Sequence, residues 1–266
     1  SPLRAANGVI VTRRFPMDPH IPGEDHDHPH QRALYFAHGD INGLDFWGEA
    51  VFARPNGPPH PYGRTVFSKL EAMRGGSPKG ILKAEFALTG PDGKPMGAET
   101  QTYEFSGDGT SRVIDCVFVL IANHGPLKIA DTKEGTFAIR LAKFLDSPPA
   151  RMINSKGGVG EKQIWGKRAD WVDYDGRARA ATVGVAIFDS PRNFGHPTYW
   201  MARGYGLFAV NPFGIRAFTG DPHRDGSYTV AAGQSLTLRY RVLIHEGDYL
   251  QSRVPQAYQR YANGGE

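Results

Sequence analysis

Residues 235–245 read SLTLRYRVLIH. Leu236, Leu238, Tyr240, Val242 and Ile244 fall on one side of an extended chain, and Thr237, Arg239, Arg241, Leu243 and His245 on the other. A period of two marks a strand with one face on a core. Outward from it, 112–122 (RVIDCVFVLIA) is apolar on both sides, which predicts a central strand buried on both faces. Segments 136–144, 177–188, 81–89, 98–106 and 169–174 also read as strands. Turn signals fall between them at Pro91-Asp92-Gly93, Asp108-Gly109, Asp175-Gly176 and Asp225-Gly226. Only 249–262 has helical spacing, with Leu250, Val254, Ala257, Tyr258 and Tyr261 near one face and Pro255 as an interruption. Many strands at hairpin spacing with one short C-terminal helix predict an all-β fold, a large two-sheet antiparallel β-sandwich rather than a small barrel. No repeat or linker divides 1–266, and 56–61 (NGPPHP) reads as a turn-rich loop, so a single domain is expected.

Composition narrows the function classes. A hydrophobic content of 40% is enough for a sizeable core. The formal charge of +4 comes from Lys and Arg scattered along the chain, not gathered in the stripe that marks a nucleic-acid binder. Cys116 is the sole cysteine, which excludes an internal disulfide or a Cys-rich zinc site and leaves a small buried hydrophobe. No apolar run reaches the roughly 18 residues of a membrane-spanning helix. The chain opens at Ser1 without Met, which leaves room for a removed leader, so a periplasmic or secreted location is favoured over a cytoplasmic one.

Chemistry concentrates in 24–47 (EDHDHPHQRALYFAHGDINGLDFW), which holds His26, His28, His30 and His38 together with Asp25, Asp27, Asp40 and Asp45. Packing alone does not require that density of imidazole and carboxylate. His28 and His30, two apart, point the same way on an extended chain and can share a divalent metal ion, with His38, Asp40 or a distant His or Glu completing the shell. Acid–base catalysis without metal, substrate hydrogen bonding through residues such as Arg32, His38, Asp40 and Asn42, or a self-knitted polar loop are the other readings.

A second constellation starts at 131–135 (DTKEG). Glu134, Thr136, Ala138 and Arg140 share one face of the following strand, and Phe137, Ile139 and Leu141 the other. A carboxylate and a guanidinium then line one polar surface, with small residues between them leaving room for a ligand. Lys133 and Arg140 beside Glu134 favour the ionised form that suits a general base. In 154–174 (NSKGGVGEKQIWGKRADWVDY) the glycines lack the phosphate-loop pattern; Glu161, Trp165, Lys167 and Arg168 offer the aromatic and charged mixture that suits a sugar, while Trp171 reads as a core anchor. His196, before Pro197, is biased toward extended backbone, and Arg203 follows in the same stretch.

Together, 27–47, 131–140, 154–174, 196–214 and 238–248 resemble, in order and over nearly the whole chain, a bacterial family of unknown function labelled "methane oxygenase PmoA". The membrane subunit of methane monooxygenase that shares this label spans the bilayer; nothing here does, so the label is rejected as an activity. The family pattern D-H-P-H-H-R is met at Asp27, His28, Pro29, His30 and Arg32, with Gln31 departing from it. Family members carry further sequence ahead of this chain's start, which implies that Ser1 lies inside a longer precursor. The family is similar to sugar-acting supersandwich proteins of the galactose-mutarotase type, which implies that fold and a carbohydrate or small-molecule substrate. The reading is a carbohydrate-active enzyme (glycoside hydrolase, lyase or sugar epimerase) with His28, His30, Glu134 and His196 as acid–base groups. Arg32, His38, Asp40, Asn42, Arg140, Trp165, Lys167 and Arg203 would bind substrate. A non-catalytic carbohydrate-binding protein and a His-ligated metal oxidoreductase are the alternatives.

Overall fold

Two antiparallel sheets face each other across one apolar core in the computed structural model, which describes residues 2–48 and 61–264. In chain order the strands are β1 (Leu34–His38), β2 (Arg64–Arg74), β3 (Gly80–Thr89), β4 (Pro95–Gly107), β5 (Ser111–Ile121), β6 (Leu127–Ile129), β7 (Gly135–Arg140), β8 (Arg151–Asn154), β9 (Arg168–Ala169), β10 (Trp171–Ala178), β11 (Ala181–Asp189), β12 (Thr198–Ala202), β13 (Leu207–Asn211), β14 (Tyr228–Val230) and β15 (Ser235–Glu246). Among the described residues the α-helices are α1 (Glu161–Ile164), α2 (Ile215–Thr219) and α3 (Val254–Ala262), and a 3-10 turn covers Lys143–Leu145. The large sheet runs β2-β3-β4-β5-β15-β11-β10-β8, the smaller one β1-β7-β13-β12-β9, and β14-β6 forms a ribbon.

The alternation of β15 sets the interior. Tyr240 pairs with Cys116, Leu238 with Phe118 and Leu236 with Leu120, so these side chains line the inner face of the large sheet. Opposite them stand Phe36, Phe137, Ile139, Phe208 and Val210 of the smaller sheet. Phe118 stacks on Phe36 with ring centroids 4.2 Å apart, and Phe137 on Tyr240 at 5.1 Å.

Three expectations change. The 112–122 strand is fully buried on one side only: Cys116, Phe118 and Leu120 are buried, while Val117, Val119 and Ile121 on the outer side are half-buried. Asp175-Gly176 is no hairpin turn but lies within β10, where Gly176 lets the strand run close to Phe144 (a Cβ there would meet its carbonyl oxygen at 2.5 Å). The chain reverses instead at Arg179, in the left-handed region with φ 55°, which splits 177–188 between β10 and β11. Pro255 does not interrupt α3 but occupies its first turn, where no amide hydrogen is needed. Val254 and Tyr258 of α3 pack on Phe188, Trp171 and Leu243, outside the large sheet. The loop read at 56–61 falls outside the described residues except for Pro61.

Candidate functional site

The outer face of the smaller sheet gathers the residues with chemistry. β7 turns Phe137 and Ile139 into the core and Thr136, Ala138 and Arg140 outward, as the spacing predicts. Register carries this face sideways: Tyr35 opposes Ala138, Ala138 opposes Ala209, and Ala209 opposes Met201. Ala138 and Ala209 form a floor of small residues walled by Trp47, Tyr199, Met201 and Phe218, with Tyr35, Trp165 and Tyr205 packed against it. Glu134 enters this face just ahead of β7. The Gly39 amide donates to the Glu134 carbonyl at 2.7 Å, and a Cβ at Gly39 would stand 2.7 Å from the Glu134 Cβ. A glycine there allows the loop after β1 to press on the Glu134 backbone, while the Glu134 carboxylate pairs with Lys133.

The N-terminal segment closes the end of β7. The Arg13 amide donates to the Arg140 carbonyl and the Arg140 amide to the Ala33 carbonyl. Both guanidiniums are buried, 3% and 1% exposed, and both donate to Asp27 Oδ1, from Arg13 Nη1 at 2.6 Å and Arg140 Nη2 at 2.9 Å. Arg140 Nη1 also donates to Gln31 Oε1 at 2.5 Å, so Gln31 serves as a buried acceptor. Asp27 Oδ2 holds His28 Nδ1 at 2.6 Å. Partial burial pushes the Asp27 carboxyl up, but the His28 hydrogen bond and the charges of Arg140, His28 and Arg13 outweigh it, leaving its pKa lowered. The His28 ring stacks on Tyr205 at 5.7 Å and meets His30 edge-on at 5.8 Å. Arg140 lies 4.7 Å over the Tyr205 ring from the sheet side.

His30 completes the cluster. Burial, helped by the charge of His28, lowers its pKa against the opposing pull of Glu134 and Asp45, which favours the neutral imidazole. A cleft of about 610 Å³ opens beside it, lined by Arg32, Tyr35, Ala37 and Trp47 among others. Burial holds the Tyr35 phenol well above its ordinary pKa, as a donor, yet its hydroxyl has no hydrogen-bond partner among the described residues. The same is true of Trp165 Nε1 on the same face. Glu161 fixes Arg203, which lies 4.9 Å over the Trp165 ring.

The sequence matches, over residues 1–259, the model of a family of unknown function, DUF6807. The chain belongs to that family. No curated protein matches it. Among solved structures it is similar to a galactose mutarotase-like protein from Clostridium acetobutylicum, with 10% identity, 69% of this chain and 67% of that one covered, and a TM-score of 0.38. It is also similar to a galactose mutarotase related enzyme from Lactobacillus acidophilus, with 11% identity, 80% and 78% covered, and a TM-score of 0.29. Neither the family match nor these likenesses supports the methane-oxygenase label.

Within this DUF6807 chain the remaining sequence candidates stand elsewhere. His38 is buried, its Nε2–H donating to the Ala130 carbonyl at 2.8 Å, and burial lowers its pKa to about 4, so it is a neutral core histidine with no exposed edge for a ligand. Asp40 caps the following turn through the Gly43 amide, and Asn42 ties that loop to Pro126 and Lys128. His196 binds Asp189 at 2.8 Å and lies 3.6 Å from Asp170, making no contact with Glu134 or His30. Lys167 is exposed, and Trp171 packs under Tyr249 outside the large sheet. Among the described residues no group of three or more His, Cys, Asp or Glu is placed to hold a metal ion. Sequence reading missed Arg13 and Tyr35, and gave Tyr205, in the stretch with His196 and Arg203, no role. Tyr35 and Tyr205 lie inside quoted segments, but the outward placement of Arg13 beside β7 leaves no mark in local spacing.

Proposed function

We propose that this face is the substrate face of a carbohydrate-active enzyme working by acid–base chemistry, with His30 and Glu134 as the proton-transfer pair. The observation that carries the reading is that His30 lines a cleft together with Arg32, Trp47 and Tyr35, whose buried hydroxyl has no hydrogen-bond partner among the described residues. A neutral imidazole beside a carboxylate can remove a proton from a substrate carbon or hydroxyl, or return one to a leaving oxygen. Tyr35 and the Trp165 indole N–H add two buried polar groups without partners among the described residues, the kind of donor a bound hydroxyl satisfies. Aromatic walls at Trp47, Trp165 and Tyr205 suit the C–H face of a sugar ring. Arg140, engaged by Asp27 and Gln31, acts as a positioning residue that holds the His28–Tyr205 wall. A hydrolase, a lyase and an epimerase share this requirement, and the substrate screen separates them.

The test is a panel of glycosides and their oxidised keto forms, with products read by mass spectrometry. His30→Ala and Glu134→Gln should each lower turnover by roughly 10²–10⁴-fold, the usual worth of a placed proton-transfer group, with melting temperature retained. Tight sugar binding without turnover would replace this reading with a binding protein, and turnover indifferent to both variants would move the site elsewhere.

A further inference from the structure

The outer face of the large sheet, on the far side of the sandwich from His30, carries a second cleft of about 270 Å³ between β15, α3 and the loop after β11. Its lining includes Arg192, Arg239, Arg241, Lys79 and, among the described residues, the two carboxylates Asp115 and Glu104. Asp115 is taken by Arg241 in a two-pronged pair at 2.7 and 2.8 Å, and Arg241 lies 4.9 Å over the Tyr261 ring. Glu104 stands 4.0 Å from Lys79. Arg192 and Arg239 have no carboxylate at ion-pair distance among the described residues.

The backbone segments that carry these two cations are joined by a buried staple. Asn193, 7% exposed, accepts the Arg239 amide at 2.7 Å and donates back to the Arg239 carbonyl at 2.6 Å. A second bond from the same Asn193 amide to Asp189 at 2.8 Å anchors it from below. The backbone of Arg192, next in sequence, is therefore tied to β15, and its exposed side chain lines the cleft. Like charges confined to one cleft repel, and a bound anion removes that cost. The guanidinium fork matches the oxygens of carboxylate, sulfate and phosphate, while Ser190, Thr102 and Tyr261 supply hydroxyls around it.

We propose that this cleft is an oxyanion site, with Arg192 and Arg239 as its ligands, taking a sulfate, phosphate or carboxylate that is either free or carried on an acidic sugar. It is independent of the chemistry on the opposite face.

The intact chain is titrated calorimetrically at constant ionic strength with sulfate, phosphate, glucuronate, glucose 6-sulfate, chloride and glucose. At least one oxyanion should bind with one-to-one stoichiometry where chloride and glucose do not. Tighter binding of the free ions or of the acidic sugars then identifies the source. Arg192→Ala and Arg239→Ala should each weaken binding by roughly tenfold or more, and Arg192→Glu should abolish it, because each removes a charge-assisted contact. Neither side chain is buried, so the variants should melt as the parent does. Oxyanion heats no larger than those of chloride, or binding that survives Arg192→Glu, would overturn the assignment.

Discussion

Asp27→Asn isolates one charge at the centre of the candidate site. The side chain keeps its shape and Oδ1 can still accept from Arg13 and Arg140, so the change removes the charge the arginines meet and alters only the Oδ2 contact to His28. A hydrogen bond to a charged acceptor exceeds a neutral one by about 1 kcal/mol, and Asp27 serves two buried guanidiniums. Its carboxyl is 39% exposed, so solvent screening trims the loss to about 1–2 kcal/mol at pH 7. For a chain of this size that corresponds to a drop of roughly 2–6 °C in melting temperature. The pH dependence supplies the sign. The folded pKa of Asp27 lies below its ordinary value, so its contribution is present above the unfolded pKa near 3.9 and is lost as pH falls through the folded value. Thermal melts of parent and variant followed by circular dichroism should differ at pH 7 and converge in acid. A gap of equal size at pH 7 and pH 3, or no gap at pH 7, would refute the claim that the Asp27 charge neutralises the two arginines.

Four further outcomes follow from named contacts. His245 is buried, with Nε2 on Asp173 at 2.9 Å and Nδ1 on Ser252 at 2.7 Å. Burial lowers its pKa, but the charge and hydrogen bond of Asp173 and the charge of Asp175 prevail and raise it. Its contribution is therefore full below the unfolded value near 6.5 and is lost as pH rises through the folded one, and His245→Gln should flatten that alkaline decline in melts run from pH 5 to 9. Gly184→Ala should destabilise by about 1–3 kcal/mol in urea unfolding, because the new Cβ would stand 2.3 Å from the His245 ring. Tyr35→Phe removes a buried hydroxyl that has no partner among the described residues, so stability should hold or rise while sugar affinity measured by calorimetry falls. With a substrate in hand, the acid limb of kcat/KM should lie below the ordinary histidine value, following the lowered pKa of His30; a limb at or above about 6.5 would assign the base to another group.

Local sequence determined the faces of the strands it marked, though β1, β2, β12 and β13 were not among them. Side chains alternate across a strand, so the patterns at 235–245 and at Thr136–Arg140 fixed which residues turn inward before any partner strand was known, and β15 and β7 obey them. The same local rules failed where a distant segment intervened. Asp175-Gly176 looks like a turn, but Gly176 serves a close approach by Phe144 within β10. His38 sits in the histidine-rich stretch, but its strand position turns it toward Ala130 and Thr136 while His28 and His30 remain outside. Arg140 reads as a ligand-facing cation until Arg13, Asp27 and Gln31 fold across the end of β7 and occupy it. Spacing along a chain gives direction relative to the strand; it carries no record of which remote side chain arrives to meet a charge. Burial, pairing and the protonation they impose are properties of that meeting, and only the packed sandwich decides them.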